Sequence, residues 1–406
     1  QQKFDRPILL IFFSDMNTRL FYFLLPLMLI GCQGRFSPEG LTTAFEQSNG
    51  SETATYEECI AWWKQLEEAS PYVCVQSFGQ TDAGLPLHVI VVNAGRNFSR
   101  EKILETKKLR VMINNGIHPG EPDGIDASML FVRDMLSEED FINTYDSIVF
   151  LIIPIYNVGG ALNRNCCSRS NQNGPESYGF RGNARNLDLN RDFIKCDSKN
   201  AQSFNQFFTE WNPDIYLETH VSNGADYPYT MTYLASQADK LGQYLGPLVK
   251  NTLTPELYSA MANDDDAMIP YVNVFGNSPD EGYTTFYDSP RYSTGYAALH
   301  HSIGLLTETH MLKPFDQRVA STRRFLHHLT ATASANRIQI KEARAMALNA
   351  ALSQTEFALD WKIDSSNITP LVFKGYKAKI DSSQVTGRPQ LHYDRNSPWE
   401  KTINYF

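Results

Sequence analysis

Cysteine is scarce and irregularly placed in this chain: six in 406 residues, at Cys32, Cys59, Cys74, Cys166, Cys167 and Cys196. That spacing excludes a zinc knuckle and a dense disulfide framework. Basic residues are also short, 36 Lys and Arg against 45 Asp and Glu, and no basic stretch is long enough for a nucleic-acid footprint, so nucleic acid is set aside as a partner. There is no internal repeat and no low-complexity segment. The apolar run at 21–31, F-Y-F-L-L-P-L-M-L-I-G, is too short to span a bilayer comfortably.

What is present is an ordinary globular composition, 42% hydrophobic and 20% charged, with net charge −9. The length supports one large domain plus an accessory piece, or two domains. The run at 21–31 has the size of a signal-peptide core, and Arg19 supplies the positive charge before it. Leu29-Ile30-Gly31-Cys32 resembles a bacterial lipobox, which implies lipidation of Cys32, a membrane anchor and a place in the cell envelope. Met16 is a natural start, leaving 1–15 as an upstream extension; the alternative for the whole segment is an anchor that is never cleaved. With Cys32 lipidated, an odd number of cysteines remains, so one stays free; a Cys59–Cys74 bridge is open, and Cys166-Cys167 reads as structural.

Residues 33–54 read as a polar tether. Helical spacing covers 56–68, with Ile60, Trp63 and Leu66 on one side, and recurs at 122–136, 198–211 and 235–250. Strand-like apolar runs occupy 85–92, 109–115, 148–156, 215–219 and 303–307. Alternating strands and helices predict an α/β fold, a three-layer α/β/α domain over 55–330 with a mixed, mostly parallel sheet. A helical tract without proline runs from 315 to about 359, its part at 331–363 serving as linker. The segment 364–406 reads as a small β-rich C-terminal piece, and its apolar end suggests that this piece continues.

His118 and Glu121 stand three apart in N-N-G-I-H-P-G-E, at a turn after a strand, so both side chains can face one ion. Zinc accepts imidazole nitrogen and carboxylate oxygen, and a catalytic site uses three protein ligands plus water. The third ligand must come from far along the chain. His220 ends the run D-I-Y-L-E-T-H, and ligands in open α/β sheets gather at strand carboxyl ends. Two histidines and one glutamate suit a single hydrolytic Zn2+ ion. Of the other seven histidines, His88, His300, His301, His310, His327 and His328 read as packing or surface residues.

H-P-G-E at 118–121, N-A-R-N-L-D-L-N-R-D-F at 183–193, the strand-end His220 and Glu308 in L-L-T-E-T-H together resemble the zinc carboxypeptidase family of M14 peptidases. G-Q-T-D-A-G-L-P-L-H-V-I-V-V at 79–92 is similar to the family's opening strand region, and the likeness covers roughly residues 55–330. It implies that Glu308 is the catalytic base and proton carrier. It implies that Arg181 partners the oxyanion, with Arg164, Arg169 and Arg185 as competitors for that place. Asn190 and Arg191 match the pair that holds the substrate's terminal carboxylate, where a guanidinium can form two parallel hydrogen bonds. Asp188 matches the carboxylate that orients a ligating histidine, here His118.

Two family features have no clear match. The tyrosine that closes over substrate could be Tyr283, Tyr287, Tyr292 or Tyr296, and the specificity residue is not evident. The acidic run at 262–266 reads either as a rim for basic substrates or as a solvated turn. The expected activity is hydrolysis of an amide bond next to a free carboxylate, in a peptide or an acyl-amino-acid substrate. The alternatives are an amidase or deacylase acting on N-acyl amino acids or cell-wall peptides, and a non-catalytic binding lipoprotein with the same fold.

Overall fold

Residues 40–274 and 277–406 are described by a computed structural model. Cys32 and the apolar run before it lie outside the described residues. Eight strands build the main sheet: β1 (Val73–Gln80), β2 (Pro86–Asn93), β3 (Leu109–Asn114), β4 (Ile148–Ile153), β5 (Ile215–Ser222), β6 (Met231–Ala235), β7 (Ile269–Pro270) and β8 (Ile303–His310). Their spatial order is β1-β2-β4-β3-β5-β8-β6-β7. The centre, β4-β3-β5-β8, is parallel; β1, β2 and β6 join antiparallel. The sheet is therefore mixed and mostly parallel, as the alternation of strands and helices predicts.

β3, β4 and β5 are buried along their whole length, and β4 is an unbroken apolar run of Ile, Val, Phe and Leu, as a strand covered on both faces requires. One cover is the helix Asp123–Ser137, which buries Ile125, Met129, Val132 and Leu136 at helical spacing. The other face carries an aromatic cluster in which Tyr216 of β5 meets Phe193, Phe204 and Phe208 from the segment leading into and through the helix Lys199–Trp211. The parallel strands point their carboxyl ends one way, so the residues at 114–121, 218–222 and 308–310 meet along one edge.

Several sequence expectations change. Residues 40–54, read as part of a tether, are packed: Ala44–Gln47 is a short helix capped by Thr43, Glu46 takes Arg133 as an ion-pair partner, and the Phe45 ring lies edge-on to Phe315 at 5.6 Å. The tract from 315 is two helices, Phe315–Ala335 and Arg337–Ser353. They part at Asn336, whose side chain donates to the Thr332 carbonyl and so competes with the helical ladder. The helical pattern at 235–250 begins later, at Ala238, because Ala235 ends β6. Cys59 and Cys74 are both free, whereas Cys166 and Cys167 are joined to each other.

The C-terminal piece is a long antiparallel hairpin of β9 (Thr369–Ser382) and β10 (Pro389–Tyr405). It is not a separate body: the described residues fall in one compact unit, and Phe373 and Ile403 are buried with Tyr227, Ile269 and Tyr283 of the main domain.

Candidate metal centre and active site

Glu121 reaches the sheet edge through a tight turn closed by its N–H donating to the His118 carbonyl at 2.8 Å. Gly120 fits closely inside that turn, since a Cβ there would stand 3.0 Å from Arg169 Cδ and 3.0 Å from the Gly179 carbonyl. Across the edge, His220 sits near the end of β5. The facing nitrogens and carboxylate oxygens of His118, Glu121 and His220 lie within 4.8 Å of one another, and all three residues are buried. His118 Nδ1 is 3.2 Å from Glu121 Oε1, and His220 Nδ1 is 2.9 Å from Glu121 Oε2.

Each histidine has its far nitrogen tied to a carboxylate. His118 Nε2 meets Asp188 Oδ1 at 3.0 Å, and His220 Nε2 meets Glu218 Oε2 at 3.0 Å. Both Nδ1 atoms are thereby turned to the same point. Two oriented imidazoles plus a carboxylate fit a zinc ion by donor chemistry and by the carboxylates that orient the donors. Asp188 gains its position by capping the short helical turn Leu189–Arg191, accepting the Asn190 N–H at 3.0 Å. Arg181 holds the other oxygen of Asp188, at 2.9 Å.

The charges are strongly coupled. Burial would raise the Glu121 carboxyl, but Arg169 and His118 beside it hold it well below the usual range. Burial would lower His220, but its hydrogen bonds to Glu121 and Glu218 push it up to about 10. Asp188 is held low, against the effect of burial, by His118 and Arg181. Glu308 goes the other way: burial pushes its carboxyl up to about 7.

Glu308 is the register partner of His220 on the neighbouring parallel strand, so the two side chains leave the sheet on the same face. Both line a cavity of about 910 Å³ with His118, Glu121, Arg181 and Arg191. Asn190 lines it too, and its buried Oδ1 has no hydrogen-bond partner among the described residues. The Arg191 guanidinium lies over the Tyr292 ring at 4.7 Å. Among the described residues no carboxylate comes within ion-pair distance of it.

The structure thus gathers all eight described residues that the sequence singled out. Of the competing arginines, Arg164 donates to the Thr53, Ala54 and Ser177 carbonyls, and Arg185 donates to the Asp197 carbonyl; both serve loops. Arg169 does line the cavity, but it donates to Glu121 Oε1 at 2.5 Å and to the Val221 carbonyl at 2.7 Å. Of the four tyrosines only Tyr292 lines the cavity. Tyr287 bonds Asp360, Tyr296 bonds Asn205, and Tyr283 packs on the hairpin. The acidic run faces a different cavity, with Arg324.

Three contributors were missed in the sequence. Glu218 stands two residues before His220, hence on the same strand face, and that spacing was a usable signal. Tyr271 and Phe286 also line the cavity, and no local pattern marks them.

The family model for zinc carboxypeptidases of peptidase family M14 matches residues 59–303, more than half of the chain. Among curated proteins, carboxypeptidase 2 of Trichophyton rubrum is 24% identical over 116 residues, which is 28% of this chain and 19% of that protein. The chain therefore spans about a fifth of that relative's length. Among solved structures, a metallo-carboxypeptidase from Pseudomonas aeruginosa aligns with TM-score 0.52 at 12% identity, covering 71% of this chain and 70% of the other. A metallo-carboxypeptidase from Burkholderia cenocepacia aligns with TM-score 0.50 at 15% identity, covering 70% and 69%. These likenesses show the fold.

Proposed function

The chain belongs to the zinc carboxypeptidase family of M14 peptidases, and from that premise we propose that it is a zinc-dependent hydrolase cleaving an amide bond next to a free carboxylate. The observation that carries this reading is one cavity lined by the His118–Glu121–His220 cluster, by Glu308 and by Arg191, which has no ion-pair partner among the described residues.

His118, Glu121 and His220 would hold the zinc, which when bound polarises a carbonyl and acidifies water. Arg191, with Asn190 beside it, binds the substrate's terminal carboxylate and so sets the scissile bond over Glu308. Fixing the substrate at a point away from the reacting atoms converts binding energy into orientation. Glu308 accepts the proton lost by the attacking water and delivers it to the leaving amine nitrogen. A carboxyl raised toward neutrality is suited to both steps. Arg181, exposed at the cavity wall and anchored by Asp188, faces the negative charge that develops on the carbonyl oxygen. Asp188 and Glu218 keep the imidazoles turned inward.

The test is Glu308→Gln in the zinc-loaded chain, assayed on N-acyl dipeptides. Turnover should fall by roughly 10²- to 10⁴-fold while the bound zinc, counted by elemental analysis, stays unchanged. Retained turnover would sink the mechanism. Running the same assay on muropeptides and N-acyl amino acids, with and without chelator, identifies the acyl side of the substrate. Chelator-insensitive samples that release no amino acid from any substrate, whether or not zinc is added, would favour a binding protein.

The lipobox-like Leu29–Cys32 supports a lipid-anchored place in a bacterial cell envelope. Among the described residues no helix is long and apolar enough to cross a membrane. Mass spectrometry of the mature N-terminus from cells checks this placement: an unmodified Cys32 would refute it.

A further inference from the structure

We propose that this site selects substrates whose C-terminal residue carries an aromatic or large aliphatic side chain, with Leu306 and Leu234 as the residues that make the choice. The inference rests on the reading that Arg191 holds the terminal carboxylate.

Side chains alternate along a strand, so Leu306 shares the face of Glu308 and lies about 6.6 Å from it toward the start of β8. Leu234 on β6 is the register partner of Leu306. Both leucines are buried against the sheet and both line the cavity. From Arg191 the wall continues as linked rings. Tyr292 lies under the guanidinium, Phe286 stands edge-on to Tyr292 at 4.9 Å, and Tyr271 stands edge-on to Phe286 at 6.0 Å. A side chain leaving the carbon next to an anchored carboxylate therefore meets two leucines and an aromatic arc.

The recess is closed beyond Leu306. The next residue on that face is Gly304, and a Cβ there would stand 2.6 Å from Ser236 Oγ and 2.8 Å from Thr294 Cα. The helix Ser293–Leu299 thus seals the strand. Thr294 is the one residue of that seal that faces the cavity, and it carries no charge.

Among the described residues, no charged side chain is left uncommitted for a basic or acidic side chain at the leucines. Every charged side chain lining the cavity belongs to the metal cluster, to Arg169 and Arg181 beside it, or to Arg191 and Glu308. The acidic run cannot serve, because Asp266 pairs with Arg324 and Asp264 meets His328 Nε2 at 2.8 Å outside this cavity. An ammonium, guanidinium or carboxylate pushed against Leu306 would lose water and gain no partner, whereas an apolar group gains by leaving water.

The zinc-loaded full chain should cleave N-acyl dipeptides ending in Phe or Leu with kcat/KM roughly 100-fold or more above those ending in Lys or Glu. Cleavage of all four at similar rates, or preference for Lys or Glu, overturns the inference and leaves the hydrolase reading standing. Release of no amino acid from any of them sinks both. A second measurement needs no turnover: millimolar L-phenylalanine should raise the thermal midpoint of the unaltered chain more than L-lysine or L-glutamate does, and equal shifts count against the proposal. In Leu306→Asp the Phe-to-Lys ratio of kcat/KM should fall at least roughly tenfold, and an unchanged ratio overturns the assignment of that residue. Where that variant does not fold, the ligand shifts of the unaltered chain decide.

Discussion

Glu218 is a single buried carboxylate set against one histidine of the candidate metal site. It is wholly inaccessible to solvent, and Tyr216 Oη and Asn114 Nδ2 donate to its Oε1 at 3.0 and 3.1 Å while its Oε2 faces His220. Asp188, its counterpart on His118, is partly exposed and shared with Arg181. The charge of Glu218 is thus directed to one imidazole, which it orients and makes more electron-rich. Glu218→Gln keeps the shape and removes the charge. We expect zinc affinity to weaken roughly 10- to 100-fold by chelator competition, with a smaller change in kcat at saturating zinc; an unaltered Kd would reject the role. Arg191→Lys tests the proposed carboxylate-binding residue of the cavity. A lysine retains the charge but not the planar fork, so kcat/KM should fall roughly 10- to 100-fold, mainly through KM. The clustering of His118, Glu121 and His220, which could hold a metal ion, was legible because H-x-x-E and a strand-end histidine stand beside the other family-like motifs. Arg181 had to be chosen among arginines, and what separates it in space is its bond to Asp188, a contact between residues in an irregular loop that no periodicity encodes.

At the scale of elements, the legible parts were those with a period. The central strands and the helices Tyr56–Ala69, Asp123–Ser137 and Lys199–Trp211 follow apolar spacing that burial enforces. The residues 40–54 were misread because their fixing contacts are with distant partners. One of these is Asp126, on the helix Asp123–Ser137, which accepts from Thr53 Oγ1 and from the Ala54 N–H at 3.4 Å. Burial pushes its carboxyl from the ordinary 3.8 up to about 7. The folded chain therefore holds a proton that the unfolded chain has released between about pH 4 and pH 7. That contribution to stability is complete below the unfolded value and is lost as pH rises through the folded one. Asp126→Asn stays neutral throughout. Its unfolding midpoint in denaturant, compared with that of the unaltered chain, should improve from pH 5 to about pH 7 and level off above that. A pH-independent difference between the two would show that Asp126 is ionised in the fold.

At the scale of the whole molecule, the C-terminal hairpin behaves as part of the catalytic body. Phe373 of β9 is fully buried between Tyr227, Tyr229, Tyr283 and Trp399, with ring centroids 5.6 to 6.1 Å apart. Tyr227 in turn lies edge-on to His310 at 4.4 Å and contacts Ser222 through its hydroxyl at 3.3 Å, so the hairpin backs the carboxyl ends of β5 and β8. Arg395 adds an ion pair to Asp226 at 2.6 Å, but its side chain is about half exposed and contributes little by itself. The apolar contact therefore dominates. Phe373→Ala leaves a cavity among aromatic rings and should cost about 3–5 kcal/mol of stability, measured from denaturant midpoints. The proposed catalytic residues are not touched, so kcat at 25 °C should stay within a few-fold while the thermal midpoint falls. A loss under about 1 kcal/mol would mean that the hairpin rests on the domain without stabilising it. A large loss of kcat at full folding would mean instead that its packing sets the spacing of β5 and β8, and with it the distance between His220 and Glu308.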